Sequence, residues 1–123
     1  MFVNISNHPS ENWCEKQRAA ALDLGRELKD IPFPSVPPEW TTSQVSCLAD
    51  EIVSQLTKST THAMVSGEFV LTNALVARMQ RKGIKCYAAT STRSVFFNES
   101  GEKVSVFQFV QFREYPVYCG EQH

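Results

Sequence analysis

The ten residues NISNHPSENW, Asn4 to Trp13, decide how the chain is read. A short apolar run (Met1, Phe2, Val3, Ile5) stops abruptly at the polar cluster Ser6-Asn7-His8-Pro9-Ser10. Such a run suits a strand covered on both faces, as in a parallel sheet. A helical pattern follows almost at once. Trp13, Gln17, Ala20, Ala21 and Leu24 fall on one stripe at helical spacing. Ser10 is a fair N-cap for a helix starting there, and Gly25 a fair stop.

The alternation continues outward. Glu27 to Phe33 reads as a second strand, with Leu28 and Ile31 apolar. Prolines 32, 34, 37 and 38 then exclude regular helix or central strand and imply a stiff connector over the sheet edge. Thr41 or Thr42 caps a second helix that buries Val45, Leu48, Ala49, Ile52, Val53 and Leu56. "THAMVSGE", Thr61 to Glu68, is a third strand with a small-residue turn. A third helix runs from about Glu68 to Arg81, its inner face Val70, Leu71, Ala74, Leu75 and Met79, and Gly83 ends it. "IKCYAATS", Ile84 to Ser91, is the fourth strand. "TRSVFF" and "KVSVFQFVQFREY" flank the turn signal "NESGE" and predict an antiparallel hairpin, extending or covering one sheet edge.

The sum, β-α-β-α-β-α-β plus a C-terminal antiparallel β-hairpin, is an α/β class with a mostly parallel sheet and helices on both faces. A length of 123 residues suits one domain spanning 1–123. No apolar run approaches the ~20 residues of a membrane span, and no signal-peptide pattern opens the chain. A cytoplasmic protein is expected. Cys14, Cys47, Cys86 and Cys119 are widely spaced, without the close pairs of metal clusters or redox motifs, and read as reduced thiols. No metal or organic cofactor is implied. A formal net charge of −1 argues against sequence-blind binding of long nucleic acid, but leaves room for a small anion in a local pocket.

Ligands of open α/β sheets bind beyond the carboxyl ends of the strands. Three segments are expected there: Ser6–Ser10, Ser66–Glu68 and Thr90–Arg93, all rich in hydroxyls, amides or Arg. His8 is either an acid/base group or a solvated loop residue. Asn7 either contacts a ligand or forms an Asx turn before Pro9. Ser10 reads more as a cap than a catalyst. Trp13 packs, or stacks on a base. Gln17 interrupts an apolar stripe and either reaches towards the site or lies at the core rim. Gly67 allows close approach of phosphate to helix N–H groups, although one glycine is a weak signal. Glu68 either complements the helix dipole or serves as a general base. Thr72 and Asn73, in the next turn, line the same pocket. Arg93 offers a fork for phosphate oxygens, with Ser91 and Thr92 hydroxyls beside it, or else pairs with a carboxylate. Phe107, Phe109, Phe112 and Tyr115 read as period-two alternation, and suit core or dimer interface better than a base-stacking platform.

"NISNHPS" with Trp13 and Gln17, "DIPFPSVPP", "VSGEFVLTNALVARMQRKGIKCYAATSTR" and "VFQFVQFREY" together resemble a small CRISPR-associated accessory family of type III systems. The likeness covers nearly the whole chain. It implies a Rossmann-like fold and binding, with or without cleavage, of cyclic oligoadenylate. Within it, Ser6, Asn7 and His8 match the polar signature after strand one, Gly67 and Glu68 the turn before helix three, and Ser91, Thr92 and Arg93 the end of strand four. The resemblance implies a metal-independent ring nuclease, His8 moving a proton and Arg93 with helix-three N–H groups holding the phosphate. The other implied reading is a non-catalytic binder. A homodimer or higher homo-oligomer is expected around a symmetric ring.

Overall fold

The structure, a computed structural model, describes residues 1–118, so Cys119 lies outside the described residues. It comprises β1 (Phe2–Ser6), a 3-10 turn (Ser10–Asn12), α1 (Glu15–Gly25), β2 (Leu28–Pro32), α2 (Thr42–Ser54) and β3 (His62–Ser66). Then follow α3 (Phe69–Arg81), β4 (Lys85–Phe97) and β5 (Lys103–Glu114). The five strands lie in the order β2-β1-β3-β4-β5. The β1–β2, β1–β3 and β3–β4 pairings are parallel, and β4–β5 is antiparallel. The α/β class, the mostly parallel sheet and the terminal hairpin are as the sequence implied.

Helices cover both faces. One core packs α2 and α3 against the sheet through Val3, Ile5, Ala49, Val53, Leu71 and Leu75. The other joins Phe2, Trp13, Ala21 and Met64 to Tyr87 on the α1 face. Alternation along β1 explains this division, since successive side chains point to opposite faces. Val3 and Ile5 go to one core and Phe2 to the other. The α2 start is the clearest local signal realised. Thr41 Oγ1 accepts from Gln44 N–H while Gln44 Oε1 accepts from Thr41 N–H, a reciprocal capping box.

The first helix departs from expectation. Ser10 opens the 3-10 turn rather than α1, and Cys14 occupies the α1 N-cap without a side-chain cap bond. Gly25 is the last helical residue, and Arg26 instead takes the left-handed position (φ 69°). Gly25 serves a close approach: a Cβ there would lie 2.4 Å from the Phe2 nitrogen.

The end of β4 departs further. No loop follows Ser91; the strand runs on through Thr90–Arg93 to Phe97. β3 pairs with β4 only up to Tyr87, so beyond it β4 has β5 as its partner, forming a two-stranded arm past the carboxyl edge. Val95, Phe96, Phe97 and Phe107 are exposed on this arm. A register shift between Thr90 and Ser91 pairs Ser91 with Phe109 and Thr90 with Gln111. This irregularity puts Phe112 back on the face of Phe109, their rings 5.0 Å apart. The aromatic residues therefore do not alternate simply, and Tyr115 packs on the opposite core.

Candidate functional site

Strand order locates the site. The chain leaves β1 for β2 at one edge, then crosses back to β3 on the other side of β1. The connections thus diverge between β1 and β3, the switch point where open sheets leave a crevice. A cleft of about 780 Å³ opens there on the α1 face. Asn7 and His8 enter from the loop after β1, Trp13 and Gln17 from the start of α1, and Met64 and Ser66 from β3. The hairpin closes the far wall with Ser91, Phe107 and Phe109. Among the described residues lining it there is no Lys, Arg, Asp or Glu; His8 and Cys14 are its titratable groups.

The opening polar cluster is built around the His8 backbone. Asn4, buried in an otherwise apolar strand, donates from Nδ2 to the His8 carbonyl at 2.9 Å and to Asp30 Oδ1 at 3.2 Å. Its Oδ1 accepts from Ser6 Oγ at 2.7 Å, and Ser6 Oγ accepts the His8 N–H at 3.1 Å. Trp13 Nε1 donates to the same His8 carbonyl at 3.0 Å. Asp30 Oδ2 accepts the Ser10 N–H at 2.9 Å, and Arg18 Nη2 donates to the Ser10 carbonyl at 2.7 Å. The loop is therefore fixed through its main chain, while the exposed His8 imidazole borders the cleft. Ser6 and Ser10 act in this network rather than in the cleft lining.

The other candidates separate. Ser91 joins His8 and Asn7 at the cleft. Arg93 stands two residues further along the arm, donates to Ser105 Oγ at 3.2 Å, and lies 5.9 Å from the Phe107 ring centroid. It thus neighbours the rim through Phe107. Thr92, exposed, lies on the opposite face of the ribbon by strand alternation. Glu68 is the α3 N-cap, its Oε1 accepting the Leu71 N–H at 2.7 Å. It lines a second groove of about 310 Å³ beside Trp40 and Val45, so it does not meet His8 in the cleft. Gly67 makes room for a ring: a Cβ there would sit 2.5 Å from Phe33. Thr72 is buried with its hydroxyl unpartnered, and Asn73 is exposed on α3.

Perturbed ionisable groups lie away from the cleft. Burial pushes the Cys86 thiol up to about 12, with the Glu114 charge adding to it. Burial likewise raises Tyr87 and Tyr115. Partial burial and the nearby Lys85 charge lower His62. Among the described residues, no three His, Cys, Asp or Glu side chains gather to hold a metal, and no helix is long and apolar enough to cross a membrane.

Three contributors escaped the sequence reading. Asn4 and Asp30 position the loop without entering the cleft; the signal available was one amide inside the apolar run Phe2–Ile5. Met64 was read only as strand, although its sulfur meets Gln17 Nε2 at 3.8 Å.

No curated protein and no solved structure matches the chain significantly. A family model does, over residues 1–113, and by that match the chain belongs to the family described as Uncharacterized protein MJ1673 family.

Proposed function

We propose that the protein binds a cyclic oligoadenylate, cyclic tetra-adenylate first, in the switch-point cleft and opens the ring. One observation carries this reading: the cleft sets the aromatic side chains of Trp13, Phe107 and Phe109 beside neutral polar groups and one imidazole. Bases stack on aromatic faces, and Phe107, 67% exposed, offers the most face. Phosphates would meet the uncapped first-turn N–H groups of α1, whose N-cap Cys14 lines the cleft wall, and Arg93 at the rim. The sequence resemblance supplies the ligand class.

The ring carries its own nucleophile. The ribose 2′-OH gives up its proton as its oxygen bonds to phosphorus, the P–O5′ bond breaks, and the departing O5′ takes a proton, leaving a 2′,3′-cyclic phosphate and a 5′-OH. Positioning and charge stabilisation carry such a step. His8, held through both its N–H and its carbonyl, moves the proton. Two copies around one symmetric ring would share the charge.

A second reading, a binder that keeps the ring intact, is favoured by the lack of a carboxylate among the described cleft residues, Glu68 lying at the other groove. Incubation with cyclic tri-, tetra- and hexa-adenylate, followed by chromatography and native gel shift, separates the readings. Linear products that His8→Ala abolishes support cleavage. A retained intact ring supports the binder. Neither binding nor cleavage of any ring refutes both.

A further inference from the structure

We infer that the interior of the cleft takes the base of its ligand, the phosphates staying at its wall and rim, and that Gln17, oriented by Met64, selects an amino-bearing base over its keto counterpart. This deepens the proposed function and rests on its placing a nucleotide in this cleft.

The lining chemistry excludes a phosphate pocket at its centre. No lysine or arginine is among the described residues there, and Arg93 stays outside at the Phe107 rim. What the interior offers is an aromatic wall, two small floor residues (Ala88 and Ala89) and the amide of Gln17. A flat, neutral, hydrogen-bonding ring suits that combination.

Gln17 supplies the discrimination. Among the described residues its amide makes one hydrogen bond, from Nε2 to Met64 Sδ at 3.8 Å. The thioether sulfur accepts and cannot donate, so it meets the NH2 end and not the oxygen. That contact leaves Oε1 as an unused acceptor and the second Nε2 hydrogen free, on a side chain that lines the cleft. An acceptor beside a donor complements an exocyclic amine next to a ring nitrogen. Adenine presents that pair on either edge; hypoxanthine, with a keto oxygen in place of the amine, sets two acceptors face to face. Glutamine pairs bidentately with adenine by the same geometry elsewhere. Met64 is buried between α1 and the sheet, which fixes the sulfur.

The test compares ligands differing only at that group. Binding of AMP against IMP, and of cyclic tetra-adenylate against cyclic tetra-inosinate, is measured for wild type, Gln17→Leu and Met64→Leu. Gln17 lies half-exposed on α1, where leucine is a good helix former, and circular dichroism checks the fold. Wild type is expected to prefer the adenine member of each pair by about tenfold or more. Gln17→Leu should bring that ratio close to one, and Met64→Leu should lower it by freeing the amide to flip. A wild-type ratio of one, or a ratio that survives Gln17→Leu, overturns the inference while leaving ring binding intact. Selective binding of AMP without any cyclic ligand upholds the inference and refutes the ring reading. No binding of either pair refutes both.

Discussion

The side-chain amide of Asn4 donates to the main-chain carbonyl of His8 at 2.9 Å, from a position 1% exposed inside the sheet. A buried polar side chain thus spans the joint between β1 and its loop. It also ties that joint to β2 through Asp30.

Removing that amide should loosen the site and the fold together. Asn4→Ala leaves Ser6, Asp30 and the His8 carbonyl short of partners, at an expected cost of about 3 kcal/mol. Urea unfolding measures it. Asn4→Asp places a second carboxylate beside Asp30, so its stability should recover as pH falls and one acid protonates. A loss under about 0.5 kcal/mol for Asn4→Ala would show that the network is not holding the loop.

The two close-approach glycines should differ in tolerance. Gly25→Ala drives a Cβ towards the Phe2 backbone, whereas Gly67→Ala meets the Phe33 side chain. Backbone cannot step aside as a ring can. Both should destabilise, Gly67→Ala by about 1–3 kcal/mol and Gly25→Ala by more. Adding Phe33→Leu should restore part of the Gly67→Ala loss. Thermal unfolding of the three variants decides the order.

How much of this was legible follows the range of each interaction. The start of α2 was readable to within one residue, Thr41 or Thr42, because a cap is local; the structure chooses Thr41, whose partner Gln44 is three residues away. The apolar run of β1 gave a covered strand, and its polar sequel, Asn7 and His8, borders the cleft beyond the carboxyl end of that strand. Asn4 could not be assigned, since its partner Asp30 is 26 residues away. The length of β4 was missed for a related reason: Thr90–Arg93 has loop-like composition, and its strand conformation depends on pairing with β5. The irregularity opposite Thr90/Ser91 defeated the period-two reading of Phe112 and Tyr115. Glu68 and His8 both follow strands in sequence, yet they serve different grooves.

Thiol reactivity should divide by burial. Cys14 and Cys47 are exposed, whereas Cys86 is fully buried with its thiol raised to about 12. The thiolate is the reacting form. Alkylation at pH 8, read by peptide mass, should mark Cys14 and Cys47 quickly and Cys86 only once denaturant is added. Equal labelling of Cys86 in the native protein would contradict the packing of β4.

His62 gives a pH signature. Its folded pKa lies below the ordinary value near 6.5, so the unfolded chain binds more protons just below that pH. The contribution of neutral His62 is complete above about pH 6.5 and is lost as pH falls through the folded value. His62→Asn should flatten the decline in urea midpoint between pH 7.5 and 5.5, by a small amount because the ring is half-exposed. An identical pH slope in both proteins would count against the assigned environment of the ring.

Titration of cyclic tetra-adenylate into wild type and Phe107→Ala tests the central claim most directly. Phe107 is largely exposed, so its removal should spare the fold while stripping the stacking face from the cleft. Binding by wild type, weakened about tenfold or more in Phe107→Ala, is the expected result. Absence of binding by wild type, or equal affinity in the two proteins, would contradict a cyclic oligoadenylate seated in this cleft.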